Sequence, residues 1–399
     1  MSIPKKNGVL IMAAVGHFSV DLFAGLLPVL LAQLSRTFGL SNKQIGFAVM
    51  AYTLTSALSQ PAFGYLADRL SGRLVAAGGI AWLAAWMAVA GFAPSYYAMV
   101  GALVIAGLGS GAYHPQAAVR AGSSTRKGSG ISIFFLGGRL GFTTGPLVGG
   151  LILSALGPQS MVIASALGIA AAFLVWSAFP AASADEVKPG GEPPASSPRF
   201  LLYQVPLFLA VGFLLSQGLR SGINESLSAY IPKHYLDQGL NPAQYGLLAS
   251  AFVAGSSLGG LIGGFLADRW EKRLIIPASM AFAGPAMYLF LHAGPALRLP
   301  LILFTGLLMS IPFTPALMMA QELMPKRQSL INGSTMSFFF ISGALGTLLI
   351  GVLADVYGLG RVLDGAAVVL GIAFLASLLL VVQLRPAAVQ RATPSEAVE

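Results

Sequence analysis

Gly64-Tyr65-Leu66-Ala67-Asp68-Arg69 returns as Gly264-Phe265-Leu266-Ala267-Asp268-Arg269, two hundred positions further along a chain of 399 residues. Each copy closes a long apolar stretch and is followed by more cations, Arg73 after the first and Lys272 and Arg273 after the second. A charged turn repeated at half the chain's own length predicts two similar halves. The surrounding composition is 56% hydrophobic and 9% charged, whereas soluble domains carry about 25% charged residues. That leaves too little polar surface to cover a water-soluble core, so the chain is expected to be integral to a membrane. Two-fold repetition in such a chain points to a transporter whose halves rock about a central site.

Roughly 20 apolar residues cross a bilayer, and twelve such stretches can be marked. Six precede residue 180, at about 8–34, 42–66, 74–93, 97–119, 129–155 and 158–179. Six follow residue 200, at about 202–232, 243–267, 274–292, 299–321, 330–355 and 362–384. They are continuously apolar, whereas barrel strands alternate in polarity. The expected fold class is therefore all-α integral membrane, with twelve transmembrane helices in two pseudo-symmetric six-helix bundles. Residues 1–180 form the first bundle and 201–385 the second. Between them, 181–200 (AASADEVKPGGEPPASSPRF) is a flexible, solvated linker by composition. The polar tail at 386–399 is expected to be disordered. Lys5 and Lys6 precede the first span as they would in a secretory leader. Its length, its polar His17 and Asp21 and the lack of a small-residue cleavage site favour a retained helix.

The net charge of +9 is distributed as a membrane topology rather than as a nucleic-acid surface. With the N-terminus inside, the cytoplasmic segments hold Lys5, Lys6, Arg69, Arg73, Arg120, Arg126, Lys127, Lys188, Arg199, Arg269, Lys272, Arg273, Lys326, Arg327, Arg385 and Arg391. The outer loops hold Arg36, Lys43, Lys233, Arg298 and Arg361. Sixteen against five is the positive-inside asymmetry and places both termini in the cytoplasm. Arg139 and Arg220 are left inside the membrane. The chain contains no cysteine, which excludes disulfides and thiolate metal sites.

Further landmarks repeat in the same order. Pro115 matches Pro315 at an offset of 200, and Pro28 matches Pro232 at 204, which sets Asp21 opposite Glu225. Ser132-Ile133-Phe134-Phe135 and Gly138 match Ser337-Phe338-Phe339-Phe340 and Gly343 at 205.

The turn after the second span resembles the G-x-L-x-D-R signature of the major facilitator superfamily, with Gly72 one position later than usual. Gly141, Gly145, Pro146, Gly149 and Gly150 spell G-x-x-x-G-P-x-x-G-G, which is similar to the antiporter motif of the superfamily's efflux members. Ser132 replaces its leading glycine. A narrower resemblance, to the fosmidomycin-resistance-like exporters, rests on Gly16-His17-Phe18-Ser19-Val20-Asp21, Tyr113-His114-Pro115 and Phe135-Leu136-Gly137-Gly138. Gln116 stands where an acid is expected, and Leu103 where many of the superfamily's exporters carry an arginine. The resemblance implies alternating access. It also implies that Asp68, Arg69 and Arg73, with Asp268 and Arg269, latch helix ends on the cytoplasmic side rather than touch substrate.

Ionisable groups cost at least about 2.5–3.5 kcal/mol each inside a bilayer and usually serve a pathway or a partner. Asp21 lies roughly 20 Å into its span at 1.5 Å per residue, near the midplane, and His17 precedes it by one turn on the same face. A desolvated carboxylate beside an imidazole can share a proton, so Asp21 is expected to couple protons, with His17 as relay and Glu225 as the counterpart in the second half. Arg139 stays charged and requires an acid, Asp21 or Glu225, or an anionic substrate group. His114, Tyr113, Gln116, Arg220 and Asn224 are further candidates for the substrate path. Arg220 and Glu225, five residues apart, point away from each other on a helix. No spacing resembles a metal-ligand motif, and no cofactor is implied beyond a proton gradient.

The expected function is proton-coupled efflux of a small organic compound by a monomer in a bacterial inner membrane. The alternative is a carrier for a physiological organic anion with Arg139 as clamp. No nucleophile–base arrangement stands out, and the linker is short for an added domain, which argues against an enzyme.

Overall fold

The computed structural model of the chain describes residues 5–124, 127–180, 206–323 and 328–381. Among these the backbone is helical nearly throughout. The first half runs α1 (Lys5–Phe38), α2 (Asn42–Arg69), α3 (Gly72–Gly91), α4 (Tyr96–Ser124), α5 (Lys127–Leu156) and α6 (Met161–Ala178). The second runs α7 (Leu207–Asp237), α8 (Pro242–Ala267), α9 (Lys272–Leu291), α10 (Pro295–Ser310), α11 (Phe313–Leu323), α12 (Gln328–Tyr357) and α13 (Leu359–Leu378). Where the sequence suggests one continuous span at 299–321, α10 and α11 share it and break at Ile311-Pro312. Proline offers no amide hydrogen and crowds the preceding turn, and Pro312 is followed by Pro315. Counting that pair as one, ten spans among the described residues are long and apolar enough to cross a membrane. The more polar α2 and α7 complete twelve. Linker 181–200 and tail 386–399 lie outside the described residues.

The repeat extends to the caps. α1 and α7 both stop at a left-handed glycine, Gly39 (φ 62°) and Gly239 (φ 88°), a conformation that only glycine adopts without strain. Leu40 N donates to Ser35 O, and Leu240 N donates to Tyr235 O, closing the same helix end twice. The next helix opens each time with a capping box, Ser41 with Gln44 and Asn241 with Gln244. The spacing is again 200 throughout.

Successive spans alternate in direction, so one face of the bundle carries the start of α1 and is called here the N-face. At the opposite face the two halves are joined. Arg36 Nη2 donates to Leu236 O at 3.0 Å and the Tyr230 hydroxyl to Asn42 O at 2.9 Å. The Asp355 carboxylate accepts from the amides of Asn42 (2.7 Å) and Lys43 (3.0 Å). Leu147 N donates to Ser250 Oγ at 2.9 Å. Glycines permit the approach, with Gly46 against the Tyr230 hydroxyl and Gly246 on the Pro146 carbonyl. Thr143 and Ser257 meet at 3.4 Å nearer the middle. One turn further toward the N-face, Arg139 is exposed between the halves.

Candidate functional site

The site is built on the contact between α1 and α5. Gly137, Gly141 and Gly145, one per turn, rest on the carbonyls of Ala14, Phe18 and Leu22, where any Cβ would collide. Small residues at such positions let helix backbones approach closely. The ladder continues as Gly149 against Leu26 and Pro146 against Gly25, and Gly150 crosses to the Pro242 carbonyl in the second half. Gly138, beside the ladder, faces the polar groups of α1.

Those groups form a closed cluster. His17 Nε2 lies 3.3 Å from Asp21 Oδ2, and His114 Nε2 of α4 lies 3.3 Å from Asp21 Oδ1. Each imidazole has its other nitrogen fixed to a backbone carbonyl, His17 Nδ1 to Phe134 O and His114 Nδ1 to Ser110 O, both at 2.8 Å. His17 also stacks on Phe134 at 4.0 Å between ring centres and meets the His114 ring edge-on at 5.0 Å. The Ser110 carbonyl stands one turn before His114. Pro115, next to His114, leaves α4 unbroken.

The hydrogen-bond directions have a chemical consequence. A carbonyl oxygen only accepts, so both Nδ1 atoms carry hydrogen, and a neutral imidazole then presents a bare Nε2. Two bare nitrogens facing a carboxylate would be three acceptors without a proton between them. One added proton satisfies one of the two contacts. Two added protons satisfy both, as two imidazolium groups sharing one carboxylate in charge-assisted bonds. Among the described residues, Tyr52 of α2, Tyr113 of α4 and Arg139 of α5 also lie within electrostatic reach of Asp21.

The remaining candidates separate by position. Tyr113 is fully buried and its hydroxyl donates to Ala13 O, so it ties α4 to α1 instead of lining a path. Gln116 is buried toward the N-face beside Gly72 and accepts from Arg120. Arg139 pairs with neither acid. It makes no hydrogen bond or ion pair with the described residues and stands 6.0 Å from the Phe313 ring across the cleft. Arg220 is buried, donating to Gln217 Oε1 at 2.9 Å and Met309 O at 3.1 Å with Phe339 beneath its guanidinium. Glu225 lies against Gly343 and, among the described residues, has no hydrogen bond. Its neighbour Asn224 keeps a buried Oδ1 that has no partner among the described residues.

Of the latch residues, the side chains of Asp68 and Arg69 lie outside the described residues. Arg73 sits 4.1 Å over the Trp176 ring, while Asp268 and Arg269 are exposed and make no ion pair with the described residues. Beside them, Lys272 pairs with Glu322 at 2.8 Å.

His17, Asp21 and His114 also form the one set of donors among the described residues grouped closely enough to take a cation, with ligand atoms within 4.8 Å. Spacing in sequence could not show this, since α1 and α4 contribute separately. Sequence reasoning also passed over Asp355 and Tyr230. An acid at the end of an apolar span carries no signal that its oxygens cap a helix of the other half.

The sequence profile of the Major Facilitator Superfamily matches residues 12–241 and 209–398. The chain is 26% identical over 358 residues to the fosmidomycin resistance protein of Escherichia coli (strain K12), covering 87% of this chain and 86% of that one. It is likewise 26% identical over 361 residues to the uncharacterized MFS-type transporter YfnC of Bacillus subtilis (strain 168), covering 88% and 87%. Among solved structures, a bacterial homolog of the human lysosomal transporter Spinster, inward-facing and occupied, superposes with a TM-score of 0.80 at 14% identity, covering 96% of this chain and 98% of that one. A point mutant of the nucleoside transporter NupG gives 0.72 at 17% identity, covering 94% and 100%. At these identities the likeness to solved structures is one of fold.

Proposed function

The chain belongs to the Major Facilitator Superfamily, and on that premise we propose that it exports a small organic compound in exchange for protons bound at His17, Asp21 and His114. It is a multi-pass membrane transporter and not an enzyme. The observation that carries the proton reading is the pair of Nδ1–carbonyl bonds, which leave the cluster unable to satisfy its own contacts without added protons. Loading it bonds α1 to α4 through Asp21 and His114. Unloading it sets acceptors face to face and loosens that bond between α1 and α4 within the first half, which ties the proton state to the shape of the half that alternating access moves. The E. coli relative is named for resistance to a drug, which favours export as the direction. In this reading the N-face is cytoplasmic, the membrane is a bacterial inner membrane, the protein is a monomer, and the structure is closed toward the outside.

The test is transport in proteoliposomes under an imposed pH gradient, with a substrate panel and a pH-sensitive dye. The expected result is substrate flux accelerated by the gradient, with Asp21→Asn abolishing the accompanying proton flux. Wild-type flux indifferent to the gradient would overturn the reading. Arg139, exposed and without an acid partner among the described residues, favours a second reading, carriage of a physiological organic anion. Gradient-independent flux that collapses in Arg139→Gln would select it.

A further inference from the structure

A groove of about 590 Å³ runs along the outside of the second half between α7, α12 and α13. Gly222 on α7 and Gly346 on α12 bring those two helices into close contact at its floor, and Gly365 on α13 leaves open room that a side chain would fill. Its lining is apolar apart from Ser342 at the deep end and Arg361 at the mouth. From Ser342 to Tyr357 along α12 is roughly 22 Å at 1.5 Å per residue, which takes the groove from the opposite face to beyond the middle of a hydrocarbon core about 30 Å thick. Exposed Leu349, Leu353 and Tyr357 along its rim place it against lipid and not in the central cleft.

We propose that this groove is a binding site for one anionic phospholipid of the leaflet at the opposite face, an acyl chain along the groove and the phosphate on Arg361. Water finds no partners along an apolar trough, and an empty one forfeits dispersion contacts on both sides. A single extended acyl chain follows a trough of this length and apolar lining, and a neighbouring protein helix is the other occupant, which the test would report as a dimer. Charge selects the headgroup. Arg361 is exposed and makes no hydrogen bond or ion pair with the described residues, while nearby Asp364 is engaged by His292 at 3.0 Å. It is one of only five cations expected on that face, and basic groups at headgroup depth attract anionic lipid.

The test is native mass spectrometry of the purified full-length protein, titrated with phosphatidylglycerol and separately with phosphatidylcholine of the same chains. One phosphatidylglycerol should be retained in preference to phosphatidylcholine, and excess inorganic phosphate should not displace it. Gly365→Phe places a ring in the groove where nothing lies within 4 Å and should weaken that lipid at least about tenfold, or 1.4 kcal/mol. Arg361→Gln should erase the preference between the two lipids. Gly371→Phe, equally open but outside the groove, should change nothing. Thermal melting checks that each variant folds, and Val369→Trp replaces Gly365→Phe if the latter does not. Equal retention in wild type and the groove-filled variant, or a protein dimer in place of the lipid adduct, would overturn the proposal.

Discussion

Gly138 lies directly against the Asp21 carboxylate. A Cβ at position 138 would stand 2.6 Å from Asp21 Oδ2 and meet His17 Nε2 as well. In the second half Gly343 holds the same relation to Glu225, with its would-be Cβ 2.5 Å from Glu225 Cγ. Each glycine is the seat of the acid that the repeat aligns with the other. Gly138→Ala should therefore spread the proton cluster while favouring the helix by up to about 1 kcal/mol. The expected outcome is pH-driven transport reduced more than about tenfold, with little change in melting temperature. Gly101→Ala, facing open space, is the control and should be neutral.

The two histidines differ in what else they hold. His17 is buried and bridges α1 to α5 through the Phe134 carbonyl, whereas His114 bonds within its own helix and is 23% exposed. His17→Asn should cost stability, about 1–3 kcal/mol for a buried partner left unsatisfied, in addition to transport. His114→Asn should leave the melting temperature nearly unchanged and remove one proton-binding nitrogen. Protons taken up on acidification should fall, and the pH dependence of transport should flatten toward low pH. Dye-reported proton uptake by the purified variants measures this directly. Equal uptake by wild type and His114→Asn would exclude His114 from the proton site.

How much of this was visible in the sequence follows from the range of the contacts. The repeat, the helices and the pairing of His17 with Asp21 are local or periodic, and all could be marked from spacing. His114 was singled out, but its partnership with Asp21 could not be, because that contact depends on how α4 crosses α1. Arg139 shows the same limit. Counting charges in the membrane offers it an acid or an anionic substrate group, and spacing alone could not show that Asp21 is met by two histidines from other directions while Arg139 faces the cleft. The three segments that carried the narrower resemblance meet around this one cluster. Gly137 and Gly138 lie on α1, Tyr113 lies on Gly16, and His114 reaches Asp21.

Arg139 and Arg220 should part company on substitution. Arg220 is buried with two hydrogen bonds and a ring beneath it, so Arg220→Gln should lower stability by about 1–3 kcal/mol whatever is transported. Arg139 has no described partner to lose. Arg139→Gln should melt like wild type and lose saturable binding of anionic substrates, while Arg139→Lys restores part of it. A melting loss in Arg139→Gln as large as that of Arg220→Gln would mean a structural role instead.

Asp355 holds the two halves together at the opposite face by capping α2, a helix of the other half, through the amides of Asn42 and Lys43. A carboxylate at a helix N-terminus satisfies free amides and meets the positive end of the helix dipole, and loss of such a cap costs about 0.5–2 kcal/mol. The conformation open at that face has no use for the contact, so the whole of this loss acts on the closed state. Asn keeps one oxygen to accept but turns an NH2 toward the second amide, so Asp355→Asn should raise the open population by up to roughly 30-fold, at 1.4 kcal/mol for each factor of ten. The absence of native cysteine allows a clean readout. Ser250 packs across the halves onto the Leu147 amide and is buried, so a Ser250→Cys thiol should be labelled faster in the Asp355→Asn background. Glu at 355 can still cap and should restore slow labelling. Unchanged labelling in Asp355→Asn, with Ser250→Cys alone as reference, would show that the closed face is held by Arg36 and Tyr230 without it.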